Sequence, residues 1–196
     1  MEKLKQLHKT SEERVFKTPR MEGVKVSYAD EQDKPVLTHT IIKSNDSVAI
    51  IAKKDGKIAF IVQFRSTKGE YFIELPAGLL NNGETEEMAA MRETREETGL
   101  LVKDVRILVK GPVLLDPSKS NENYGVATSE VYSKKSQCLD EMEQINSELI
   151  WLDEDDVFRR VMEQNSEGKP FYEGLFLSGH SLFALMAYML PKFYYK

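Results

Sequence analysis

Gly78-Leu79-Leu80-Asn81-Asn82-Gly83-Glu84 opens the stretch that decides how this chain is read. Seven residues later it resumes as Arg92-Glu93-Thr94-Arg95-Glu96-Glu97-Thr98-Gly99-Leu100. The composition predicts a helix over 84–98. Glu84, Glu86 and Glu87 crowd the first turn, where the helix dipole favours negative charge. Met88-Ala89-Ala90-Met91 has high helix propensity, and Gly99 is a natural C-terminal stop. Glu93 and Glu97 are four apart and Glu96 is three from Glu93, so all three share one helix face. Like charges at that spacing repel, and the end of the helix is its negative pole. Arg92 and Arg95 relieve part of the strain. A bound divalent cation relieves more, because hard cations take carboxylate oxygens. The bland alternative is a solvated face with ordinary Glu–Arg pairing. The glycine loop before the helix, the fixed offsets of the glutamates and the terminal glycine favour the metal.

Outward from the helix, Ser47–Ala52 and Lys57–Phe64 read as strands around an Asp55-Gly56 turn, a strong hairpin signal. Tyr71–Leu75 is a short strand stopped by Pro76. Further upstream, Val24–Tyr28 alternates apolar and polar residues as a half-buried strand does, and Leu37–Ile42 is a second strand. Residues 1–20 are charged and mixed, with a break at Pro19. Downstream, Leu101–Val109, Tyr124–Tyr132 and Ser147–Leu152 are strand candidates. Asp153–Glu163 reads as a helix, and Ser178–Leu190 as a closing helix ended by Pro191. This order is not a regular βαβ repeat. It predicts an α/β (α+β) class, a mixed β-sheet sandwiched between helices. Residues 1–42 form an N-terminal β arm or subdomain and residues 43–196 the main domain.

Composition excludes several classes. Of 196 residues, 41% are hydrophobic and 30% charged, which excludes wholesale disorder. Lys and Arg number 27 against 32 Asp and Glu, a net charge of −5. Such a chain is not built to coat a nucleic-acid backbone, although a small polyanion can still bind through metal ions. The single cysteine, Cys138, excludes an intramolecular disulfide and a Cys-rich zinc site, and fits a reducing cytoplasm. Met1-Glu2-Lys3-Leu4-Lys5-Gln6 is too polar for a secretory signal. The longest apolar run, Ser181–Leu190, is half of the roughly 20 residues that a membrane span needs. His39 and His180 are isolated. There is no Gly-x-Ser-x-Gly elbow and no phosphate-cradling Gly-rich loop.

The spacing around the acidic helix resembles the Nudix box, G-x5-E-x7-R-E-U-x-E-E-x-G-U with U aliphatic. Gly78, Glu84, Arg92, Glu93, Glu96, Glu97, Gly99 and Leu100 fall in place. Thr94 departs, standing where an aliphatic residue is expected, and its hydroxyl needs a partner if buried. The resemblance implies Glu93 and Glu97 as direct Mg²⁺ ligands, with Glu96 joining them or sharing a second ion. Mn²⁺ would substitute. Glu84 and Arg92 would fix the helix and its loop, placing Arg92 with Glu96 in the catalytic set. The flanks, Gln63-Phe64-Arg65 and Glu74-Leu75-Pro76-Ala77-Gly78, resemble the ADP-sugar pyrophosphatases, above all those that hydrolyse ADP-ribose. That likeness implies the Ala77 carbonyl as a metal ligand and Arg65, Glu74 and Glu122 as substrate-binding residues, with Arg65 on the phosphates. Pro117 lies 17 residues past Leu100, at the subgroup's proline position. Ser118 replaces the glycine that often follows, and Glu122 fills the acidic place. The base that activates water would be Glu143 on a loop before the 147–152 strand, with Glu141 and Glu148 as alternatives. The implied activity is Mg²⁺-dependent cleavage of ADP-ribose to AMP and ribose 5-phosphate by a cytoplasmic homodimer whose N-terminal strands pair or swap across the interface. Alternatives are another sugar nucleotide, such as GDP-mannose or UDP-glucose, or a Nudix module that senses a nucleotide without cleaving it.

Overall fold

The computed structural model describes residues 6–135 and 148–194. The chain divides into two compact units, residues 1–46 with 112–123, and residues 47–111 with 124–196.

The smaller unit is an antiparallel meander of β1 (His8–Lys17), β2 (Glu22–Ala29) and β3 (Pro35–Lys43). Val24, Val26 and Ala29 of the middle strand are buried. β1 was not expected, because its HKTSEERVFK sequence has no apolar alternation. It forms by pairing with β2 and is laced by Arg14–Glu22 at 2.6 Å, Lys9–Glu12 at 2.7 Å and a Lys43–Glu12 pair. Segment 112–123 adds to β3: the Ile42 amide donates to the Lys119 carbonyl at 2.7 Å and the Asn121 amide to the Ile42 carbonyl at 3.2 Å.

In the larger unit the strands are β4 (Ser47–Lys54), β5 (Lys57–Arg65), β6 (Glu70–Glu74), β7 (Ala77–Leu79), β8 (Leu100–Val109), β9 (Tyr124–Lys134), β10 (Glu148–Asp153) and β11 (Phe176–Leu177). The helices are α1 (Glu86–Thr98), α2 (Glu154–Glu167) and α3 (Gly179–Tyr194). The strands form one mixed sheet of order β11-β6-β5-β4-β9-β8, with β10 on β5 and β7 on β4. β4 is buried from Ser47 to Ala52, as a strand covered on both faces must be. Ala49 and Ile51 enter the core that includes residues of α2 and α3, while Val48, Ile50 and Ala52 enter the core that includes Ala89 and Ala90 of α1.

The Asp55-Gly56 turn joins β4 to β5 with both residues at positive φ. The two strands stay paired only at Lys53↔Ile58 and Lys54↔Lys57. Beyond that point β4 takes β7 and β5 takes β6, while β10 pairs with β5 from Lys57 to Val62. The sheet therefore splays, and the start of α1's loop is laid down as β7 on the β4 side of the opening. β7 and β11 were not expected, being too short to show a period. Pro191 lies inside α3 rather than ending it; so near the terminus a proline removes one intrahelical hydrogen bond without breaking the helix.

Candidate active site

α1 begins at Glu86, two residues later than its acidic composition suggests. Thr85 is the N-cap, its Oγ1 accepting from the Met88 amide at 3.3 Å, so Glu84 lies outside the helix. There the Glu84 carboxylate accepts from the Asn81 amide at 2.8 Å and closes the preceding turn. Gly99 ends the helix in the left-handed conformation at φ 72°, its amide bonded to the Arg95 carbonyl.

The buried stripe of α1 contains Ala89, Ala90, Glu93, Thr94, Glu97 and Thr98. Glu93 and Glu97 are 8% and 3% exposed, which is costly for carboxylates unless they are well partnered. Glu97 Oε2 accepts from the Ala77 amide at 3.0 Å, and Oε1 accepts from the Gln63 side chain at 3.2 Å. Glu93 lies flat against Gly78: a Cβ there would stand 2.1 Å from the Glu93 carboxyl carbon and Oε1. The two helix glutamates thus meet the Ala77–Gly78 backbone at the splay of the sheet.

Arg92 is the hub of the remaining acids. Its Nε and Nη2 donate to the two Glu84 oxygens at 2.9 and 2.8 Å, and Nη2 also donates to the Leu79 carbonyl at 2.8 Å. Nη1 donates to Glu93 at 2.5 Å and to Glu96 at 3.1 Å. The hydrogen bond from Arg92 holds the Glu84 carboxyl below its ordinary range, and Glu84 in turn raises the Arg92 guanidinium. Thr94, the departure from the box pattern, is fully buried and satisfied within the helix, donating to the Ala90 carbonyl at 2.7 Å.

On the opposite side of the splay, β5 places Gln63 and Arg65 on one face, and β6 places Glu74 beside them. Arg65 grips the buried Glu74 with two hydrogen bonds, Nε to Oε1 at 2.7 Å and Nη2 to Oε2. This pairing raises the Arg65 guanidinium further. Nη1 makes no hydrogen bond among the described residues, and the side chain is 49% exposed. The segment from Glu74 to Ala77 is pinned from α3, where Ser181 Oγ accepts from the Leu75 amide at 2.9 Å.

The structure brings together Ala77, Glu93 and Glu97, with Gly78 making room, and joins Glu96 to them through Arg92. Arg65 and Glu74 form one unit. Gln63, quoted above only as part of a flank, is the residue that sequence reasoning missed. Its two-residue spacing from Arg65 on a strand was the available signal. Glu122 lies in the smaller unit, its amide donating to Ser120 Oγ at 3.1 Å. In the same segment Ser118, standing in place of a glycine, donates to Asp116 at 2.6 Å. Glu148 begins β10 and is exposed. Glu141 and Glu143 lie outside the described residues.

Among the described residues no three His, Cys, Asp or Glu side chains converge closely enough to hold a metal. The donor chemistry nevertheless fits a hard cation. Two buried carboxylates one turn apart face a backbone segment, and their oxygens are the ligands that Mg²⁺ prefers.

The NUDIX domain family model matches residues 43–174. ADP-ribose pyrophosphatase of Mycobacterium tuberculosis is 41% identical over 76 residues, 38% of this chain and 37% of that protein. ADP-sugar pyrophosphatase of Mus musculus is 32% identical over 130 residues, 61% of this chain and 59% of that protein. The matches thus span less than two thirds of these relatives' own lengths. The crystal structure of ADP compounds hydrolase aligns with a TM-score of 0.72 over 98% of both chains at 15% identity, which shows a shared fold.

Proposed function

From the premise that this chain belongs to the Nudix family, we propose that it hydrolyses the diphosphate bond of a nucleoside diphosphate sugar, ADP-ribose before others. Water adds to one phosphorus, the bridging P–O bond breaks, and AMP and ribose 5-phosphate leave. The observation that carries this reading is the meeting of buried Glu93 and Glu97 with the Ala77–Gly78 backbone. The family's cofactor is a divalent cation, here taken as Mg²⁺ with Mn²⁺ substituting; when bound it neutralises diphosphate charge and lowers the pKa of water. Glu93, Glu97 and the Ala77 carbonyl would hold it, with Glu96 released from Arg92 to assist.

Arg65 presents its unbonded Nη1 edge to the phosphates, while Glu74 fixes the plane of the guanidinium, the geometry that suits a planar donor fork. Arg92 keeps Glu93 and Glu84 in place. The resemblance supports Glu143 as the base that takes the water's proton and Glu122 as a substrate contact. Residues 1–42 serve as a dimerisation arm. In support, all ten residues of β1 are exposed, Val15 and Phe16 among them. A cytoplasmic setting agrees with the lone Cys138. No helix among the described residues is long and apolar enough to cross a membrane.

A screen of ADP-ribose, GDP-mannose and UDP-glucose with and without Mg²⁺ tests the reading. Mg²⁺-dependent release of AMP from ADP-ribose is the expected result. Glu97→Gln should cut turnover by roughly 100-fold or more, the scale for removing one preorganised electrostatic group, with the melting curve retained. No nucleoside monophosphate from any of the three overturns it.

A further inference from the structure

Glu97 is held by two neutral donors that reach it from different strands. The Ala77 amide donates to Oε2 at 3.0 Å, and the Gln63 carboxamide donates to Oε1 at 3.2 Å. A donor on one oxygen leaves a carboxylate free to turn about that bond, whereas a donor on each oxygen fixes its plane. The Ala77 donor is backbone, in a segment pinned by the bond between Ser181 and the Leu75 amide. Gln63 is therefore the side-chain half of the clamp. It stands on β5 two residues before Arg65, on the same face of the strand. The kind of donor matters as much as its place. Glu93 and Glu96 accept from Arg92, a full positive charge that competes with an arriving cation. A carboxamide carries no charge, so Gln63 orients Glu97 without neutralising it. Each carboxylate oxygen has two acceptor directions, so neither bond exhausts the oxygen it uses.

We propose that Gln63 is a positioning residue that sets the Glu97 carboxylate for a divalent cation. The inference rests on the reading above, in which Glu97 helps to hold that cation. Hydrogen-bond partners behind a coordinating side chain fix its orientation, and losing one costs about 10- to 100-fold in metal affinity or activity. Without Gln63 the buried carboxylate keeps only its backbone bond on this side of the clamp and swings about it, so the cation meets an unprepared ligand.

The test reads binding of Mn²⁺ alone, from the electron paramagnetic resonance signal of the free ion, on the full chain and on Gln63→Met and Gln63→Asn. Methionine keeps the length and removes the donor. Asparagine keeps the amide but is one methylene too short to reach. Both should raise the Mn²⁺ dissociation constant about 10- to 100-fold. Glu97 retains its Ala77 bond, so metal-free melting temperatures should stay within about 4 °C of the unmodified protein. If Gln63→Met falls outside that window, Gln63→Asn decides alone. In turnover of ADP-ribose the Mg²⁺ concentration for half-maximal rate should rise by a like factor, while KM at saturating Mg²⁺ stays within twofold. Mn²⁺ affinity within twofold of the unmodified protein in Gln63→Asn overturns the positioning role. So does a raised KM at saturating Mg²⁺ with metal affinity unchanged, which would make Gln63 a substrate contact, and so does an unmodified protein that binds no Mn²⁺. Gln63-dependent Mn²⁺ binding without release of AMP would strike the proposed reaction and leave the positioning role standing, because the metal is read without turnover.

Discussion

Gly78→Ala separates the site from the fold more cleanly than any loss of a carboxylate. Gly78 is not among the residues at positive φ, so alanine carries no backbone penalty there. The whole effect is one methyl group. Its carbon would stand 2.1 Å from the Glu93 carboxyl carbon and Oε1 and 2.5 Å from Oε2, far inside the contact distance of about 3.5 Å. Something has to move, and the obstructing atoms are the far end of a flexible side chain. Glu93 can swing toward solvent, breaking its 2.5 Å bond from Arg92 but regaining hydration. Stability should therefore fall by no more than about 1 kcal/mol, below the usual overpacking range, or about 2–4 °C in melting temperature for a domain of this size. Function should fall far more, because a displacement of 1 Å at a reacting centre costs about 100-fold. The measurements are a thermal melt, a Mg²⁺ titration by calorimetry and kcat/KM on ADP-ribose. A variant that keeps its melting temperature and loses both metal affinity and turnover confirms the close approach. Retention of both within threefold would refute the claim that Glu93 must lie against residue 78.

Three further outcomes follow from the same network. Arg65→Ala should destabilise more than Glu74→Gln in urea titrations. The first strands a carboxylate that is 5% exposed, at about 3 kcal/mol, whereas the second leaves a guanidinium that is 49% exposed and can turn to water. Glu84 has its folded pKa lowered by Arg92 from an ordinary 4.5, so its stabilisation is present above that value and disappears as pH falls through the lowered one. Melting temperature should drop on acidification below about pH 4.5, and Glu84→Gln should flatten that part of the profile. Thr94→Val, which restores the aliphatic residue of the box pattern, should change stability by less than about 1 kcal/mol and leave turnover intact. The reason is that the lost bond is a local one to the Ala90 carbonyl.

How much of this was legible in the sequence depended on whether the determining interaction is local. The helix over the box was readable because its dipole-favoured acids and its terminal glycine lie within the segment, whereas its Thr85 cap was missed and the start was placed at Glu84. β4 and β5 were readable because burial imposes an apolar run and Asp-Gly imposes the turn. β1 was not, since it is held by a partner strand and by ion pairs to Glu22 and from Lys43 to Glu12, and neither leaves a period in its own residues. The same division runs through the site. That Glu93 and Glu97 share a face follows from arithmetic on a helix. That Gln63 reaches Glu97, or that Glu74 claims two nitrogens of the Arg65 guanidinium, depends on how β5 leaves β4 after two paired residues. Arg92 shows the consequence most clearly. In the linear pattern it stands as one matched letter beside Glu93, yet in space it binds Glu84, Glu93, Glu96 and the Leu79 carbonyl at once. Among the described residues it is therefore an internal counter-charge shared by three acids of one helix and its loop, and any cation entering the site must share Glu93 and Glu96 with it.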